Sequence, residues 1–168
     1  VQDVSDQIHP VNQHFFAAAK ELGIPRTQNI NGSACEGAGV YRINTSSGRR
    51  MHSARAFLKP ALKRANVTLM TEVRAEQIIF EDTRAVAVQV VRDGNTQTLR
   101  AGREIIVSSG AISSPRLLQL SGVGPAELLK SHGITPLQDA PHVGGNLQDH
   151  LGINYYFRAT EPTLNNVL

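Results

Sequence analysis

The chain has 168 residues, of which 40% are hydrophobic and 18% charged, with a formal charge of +3. That composition is ordinary for a globular protein with a real core and argues against disorder, and the scattered Lys and Arg argue against a nucleic-acid interface. A single cysteine, Cys35, excludes an internal disulfide and a cysteine-based zinc site and is compatible with a reducing compartment, while no apolar run approaches the ~18 residues of a membrane span.

The first element in chain order is a helix over residues 10–22. Pro10 opens it, Val11, Phe15, Ala18 and Leu22 recur on one face, and Gly23 closes it. The residues before it, VQDVSDQIHP, carry neither the basic start nor the apolar stretch of a signal peptide. After a Gly-rich loop, residues 38–45 read as a short strand. Residues 53–65 read as a helix that Pro60 should kink or divide.

From residue 67 to 109 the pattern changes to strands: VTLM, VRAEQIIF, RAVAVQVV, TQTLR and REIIVSS. Asp93-Gly94-Asn95 is a hairpin signal, and the alternation from Ala85 to Val90 gives a strand with unequal faces. Together they predict an antiparallel meander packed on a larger sheet.

The run 103–109 ends in small residues at Gly110 and Ala111, and a helix should follow. Ser114 suits the N-cap, Pro115 the first helical position, Leu117, Leu118 and Leu120 the apolar face, and Gly122 the C-cap. Strand, small-residue turn and helix N-terminus make a natural site for an anion or nucleotide. The same local pattern also fits an ordinary crossover that holds no ligand. A second helix follows from Pro125 to His132, closed by Gly133, then a Pro- and Gly-rich segment and a strand around 152–158.

Other chemistries find no support. Gly110-Ala111-Ile112-Ser113-Ser114 is not the G-x-S-x-G elbow of a serine hydrolase, and there is no P-loop. His9 with His14, and His142 with His150, lack metal-ligand spacing, so no metal site is expected.

The stretch GAISSPRLLQLSGVG, from Gly110 to Gly124, resembles the second signature of the glucose-methanol-choline (GMC) oxidoreductases at every constrained position. The likeness extends through His9-Pro10, Gly23-Ile24-Pro25, Asn31-Gly32, Glu36-Gly37, Gly48-Arg49-Arg50, Ser53, Phe57-Leu58 and Asn66-Val67 to Val143-Gly144-Gly145-Asn146-Leu147-Gln148-Asp149-His150. It departs from the family where Met51 and His52 separate Arg50 from Ser53, and where Pro141-His142 replaces Pro-Gly. Tyr155-Tyr156-Phe157 with Glu161-Pro162 resembles the choline dehydrogenase-like members.

The resemblance implies an α/β (α+β) fragment, part of a Rossmann-like FAD-binding domain with an antiparallel β-meander and the start of a substrate-binding antiparallel sheet. The implied division is 1–52 as the segment from the substrate cap, 53–150 as the FAD-binding portion and 151–168 as the beginning of the substrate domain. It implies FAD as cofactor, with Val73 holding the adenine through its backbone and Ser108, Ser109, Gly110 and Ala111 passing near the ADP half. The implied activity is oxidation of an alcohol CH–OH group with hydride transfer to flavin N5. Two alternatives stand beside it: a flavin-retaining lyase on the same scaffold, and a non-catalytic nucleotide-binding fragment. The G-x-G-x-x-G turn and the catalytic histidine of the family have no counterpart in the 168 residues. The implied partners are therefore a small alcohol and the remaining parts of one polypeptide, which carry those two elements. Asp149 is expected to cap a turn and His150 to be bonded within the fold.

Overall fold

The computed structural model describes residues 1–156, 158–160 and 162–163. The chain divides into two compact units: Leu69–Gly152, and Val1–Thr68 together with the chain from Ile153 onward.

In the second of these, helix α1 spans Asn12–Glu21 and buries Ala19. Its end is closed by two bonds that the Gly23 turn allows, Gly23 N–H to the Lys20 carbonyl and Ile24 N–H to the Ala19 carbonyl. No continuous strand occupies 38–45. Ala38 instead makes an isolated parallel bridge to Arg26, and Ile43 an antiparallel one to Gln2. A small hairpin follows, β1 (Thr45–Ser46) against β2 (Arg49–Arg50), turning at Ser47 and Gly48. The helix expected over 53–65 is a π-helical turn, Ala54–Leu58, running into a short α2, Lys59–Ala61. Pro60 is the second residue of α2 and has no N–H to give to the π-helical turn before it.

The other unit is built on a three-stranded antiparallel sheet in the order β3 (Arg74–Glu81), β4 (Arg84–Arg92), β5 (Asn95–Arg100). Asp93 and Gly94 both take positive φ and make the two-residue turn between Arg92 and Asn95. Register shifts at Ala75/Gln77 and Ile79/Phe80 interrupt the alternation between β3 and β4. Ile78, Ala87 and Val90 are buried on this sheet.

Two of the predicted strands are absent. Residues 67–70 join no ladder, and neither do 103–109. In the second run Ile105 and Val107 are half-buried and Ile106 is 77% exposed. A strand needs a neighbour to take its N–H and C=O groups, and among the described residues no edge lies beside this one. Likewise the described residues from Gly152 to Tyr156 form no strand, so the expected start of an antiparallel sheet is not seen there; Phe157 and Glu161 lie outside the described residues.

Helix α3 (Gly110–Leu120) packs on β3 and is followed by β6 (Val123–Gly124), α4 (Ala126–Ser131) and β7 (Gln138–Asp139). Strands β6 and β7 are parallel. Asp139 Oδ1 accepts the Ala126 N–H at 3.0 Å, which caps α4, and Leu129 of α4 is buried at 2% exposure.

Candidate functional site

The Gly110–Gly124 stretch becomes one continuous device: helix, turn, strand. Its helix starts earlier than the residue types predict, at Gly110 with Ser109 as the cap, and Pro115 lies inside it. Ser114 is still used at the helix start, because its Oγ accepts the Ser109 N–H at 3.0 Å from within the second turn. Pro115 has no N–H to give to the Ala111 carbonyl one turn back. The first-turn amides receive no side-chain cap from Ser109. Ser108, Ser109, Gly110 and Ala111 are all exposed, and a Cβ placed on Gly110 would meet nothing within 4 Å. An uncapped helix start with open space in front of it suits an anionic group, since the N–H dipoles point outward.

The far end of the same helix is fastened to the sheet. Ser121 is buried at 6% exposure; its Oγ donates to the Leu117 carbonyl at 2.6 Å and accepts the Ile78 N–H of β3 at 2.8 Å. Strand β3 is an edge of its sheet, so this bond satisfies an N–H that faces away from β4. The turn that follows has no room for a side chain. At Gly122, φ is 87°, and a Cβ would approach the Thr135 carbonyl oxygen to 2.9 Å and the Leu137 nitrogen to 3.1 Å.

Along the exposed side of α3 lies a cavity of about 530 Å³, closed on its other side by Gly144, Gly145, Asn146, Leu147 and Gln148. Ala111, Ile112, Pro115, Arg116 and Gln119 supply the helix side. The lining offers one guanidinium and three carboxamides and contains no acid, histidine, cysteine or serine. It can therefore hold a polar or anionic ligand, but it has no side chain able to take a proton or attack a carbon.

Of the five residues expected to face a cofactor, only Ala111 lines this cavity; Ser108, Ser109 and Gly110 lead into it along the chain. Val73 stands half-buried just before β3, after Glu72 at φ 57°, and is not part of the lining. Arg116, Gln119 and Asn146 escaped sequence reading as lining residues. The signal for Arg116 and Gln119 was available in the helical spacing of 112, 115, 116 and 119, which puts them on one face, whereas Asn146, outside the helix, had no such pattern. Asp149 Oδ1 accepts the His150 N–H at 2.7 Å, but both residues are exposed and lie outside any turn, so the expected turn cap is not formed there, and among the described residues no hydrogen bond of the His150 imidazole is seen. Among the described residues no group of three His, Cys, Asp or Glu side chains could hold a metal, and no helix is long and apolar enough to cross a membrane.

Comparison with known proteins agrees with this architecture. A family profile described as GMC oxidoreductase matches residues 1–152. The chain is similar to the oxygen-dependent choline dehydrogenase of Sinorhizobium medicae, 44% identical over 154 residues that cover 92% of this chain and 28% of that protein. Among solved structures it is similar to pyridoxine 4-oxidase from Mesorbium loti, with a TM-score of 0.72 at 32% identity over 82% of this chain and 27% of that one. It is also similar to an FAD-dependent oxidoreductase from Chaetomium thermophilum, with a TM-score of 0.70 at 27% identity over 79% of this chain and 24% of that one. The chain thus spans about a quarter of the length of these relatives. The fold class is that of an α/β fragment of a Rossmann-like domain, with its antiparallel sheet and the helices around it.

Proposed function

This chain belongs to the GMC oxidoreductase family, and we propose that it forms part of an FAD-dependent enzyme that oxidises the CH–OH group of a small alcohol. The observation that carries this reading is the uncapped N-terminus of α3, set in the family's own signature stretch and opening onto unfilled space at Gly110. That donor set fits a dinucleotide: backbone N–H groups and a helix dipole favour a phosphate, and small residues let it come close. When bound, FAD supplies the hydride acceptor.

The residues of this chain bind and orient. Ser108, Ser109, Gly110 and Ala111 form the small-residue turn that passes the ADP half of the cofactor. Val73 gives a backbone contact to the adenine, which depends on chain geometry and not on its isopropyl group. Arg116, with the carboxamides beside it, adds positive charge and hydrogen-bond donors to the same side of the unit. The base that takes the hydroxyl proton and the turn that holds the pyrophosphate belong to other parts of the same polypeptide. The likeness to choline dehydrogenase makes choline the first alcohol to try.

Purification of the full-length protein followed by its visible absorption spectrum tests the cofactor assignment. A yellow protein with flavin absorption is expected. A colourless protein that takes up no added FAD would defeat the proposal.

A further inference from the structure

Gln119 is placed unlike any other polar side chain of α3. Its Nε2 donates to the Val143 carbonyl at 2.9 Å, 24 residues further along the chain. Its stem and head are each pressed against a glycine: a Cβ on Gly124 would meet Cγ at 2.9 Å, and a Cβ on Gly144 would meet Nε2 at 2.7 Å. Gly144 also has φ 84°. The side chain is thus gripped between β6 and the turn at His142–Gly145, which is itself closed by the Val143 N–H to the Ala140 carbonyl and the Gly145 N–H to the His142 carbonyl. Gly144–Gln148 forms the wall of the cavity facing Ala111, Ile112 and Pro115.

We propose that Gln119 is a positioning residue, whose carboxamide holds the Gly144–Gln148 wall at a fixed separation from α3 and so sets the width of the cavity beside the cofactor-side turn. An apolar side chain of equal length would fill the gap between the glycines but leave the half-buried Val143 carbonyl without this donor. A shorter one would leave both the gap and the carbonyl. The functional half of this proposal rests on the FAD reading above; the structural half does not.

The experiment is carried out on the full-length protein with Gln119→Met and with Gln119→Glu, which keeps the shape and removes the donor. Amide hydrogen exchange at Val143 and Gly145 should accelerate roughly threefold to tenfold, the worth of one hydrogen bond, with β3–β5 amides unchanged. Retention of flavin on dilution should weaken by a similar factor. A second measurement guards against simple misfolding. Gly144→Ala should be less harmful in a Gln119→Ala background than in the parent, because the backbone strain is common to both and only the contact with Nε2 is relieved. Exchange at Val143 and Gly145 that matches the parent, acceleration spread evenly through β3–β5, or additive Gly144 and Gln119 effects would each overturn the positioning role. If the parent protein holds no flavin, the FAD reading falls, and the exchange and double-variant arms still decide the role of Gln119.

Discussion

Ser121→Ala isolates a side chain that fastens the signature helix to the edge of the sheet. The substitution removes Oγ from both of its bonds. The two ends are not equivalent. The Leu117 carbonyl keeps a donor, because the Ser121 N–H also bonds to it at 3.1 Å. The Ile78 N–H faces away from β4, and Ile78 is 3% exposed, so water cannot readily replace the lost acceptor. A buried N–H left unsatisfied costs about 1–3 kcal/mol, and the void of a single oxygen adds little. Expressed as protection against hydrogen exchange, that is about a fivefold to 150-fold faster exchange of the Ile78 amide. Amides in β4 and β5 that exchange only through global opening should speed up by the same factor or less. Exchange of Ile78 within about twofold of the parent protein would refute the reasoning, since it would mean that the amide finds water or another acceptor without cost.

Gly122→Ala combines left-handed backbone strain of about 1–2 kcal/mol with approaches of 2.9 Å to the Thr135 carbonyl oxygen and 3.1 Å to the Leu137 nitrogen, backbone atoms that cannot swing aside. Gly94→Ala carries the strain alone, because nothing lies within 4 Å of its added Cβ. Denaturant titration should therefore rank Gly122→Ala as clearly the more damaging, and equal losses would contradict the packing described. Val73→Ala should leave the flavin content of purified protein unchanged and Val73→Pro should lower it; the reverse order would show that the side chain, not the backbone, matters at that position. The carboxyl of Asp3 is held below its usual 3.8 by hydrogen bonds from the Ser5 hydroxyl and amide, with Arg42 adding a smaller attraction. Its contribution is present above 3.8 and is lost as pH falls through the lowered value. A carboxyl titration followed by NMR should move back towards 3.8 in Ser5→Ala, and an unchanged midpoint would reject that cause.

The parts of the fold legible in the sequence are those fixed by local chemistry. Gly23 and Gly133 mark the ends of α1 and α4, and Asp93-Gly94 marks the β4–β5 turn, because each turn demands a backbone conformation that few residue types adopt. Residues 103–109 differ from their sequence pattern for the opposite reason. Apolar and β-branched content gives them strand propensity, but a ladder requires a partner that no local pattern supplies. The start of α3 was displaced because Ser114-Pro115 has the look of a cap and first position, whereas the helix begins at Gly110 and Ser114 bonds backwards to Ser109. At the site, the small-residue turn was readable from residue size alone. The roles of Ser121 and Gln119 were not, since each depends on a partner more than 20 residues away in sequence, Ile78 for one and Val143 for the other.

The proposed function is oxidation of an alcohol by an enzyme of which this chain is a part, with bound FAD accepting the hydride. Its most direct test is anaerobic titration of the full-length, flavin-containing protein with choline and then with a short series of other primary alcohols, followed in the visible flavin band. One of these alcohols is expected to bleach the band, and readmitted oxygen or an added quinone to restore it. A protein whose flavin stays oxidised with every alcohol while it cleaves a cyanohydrin would contradict the account.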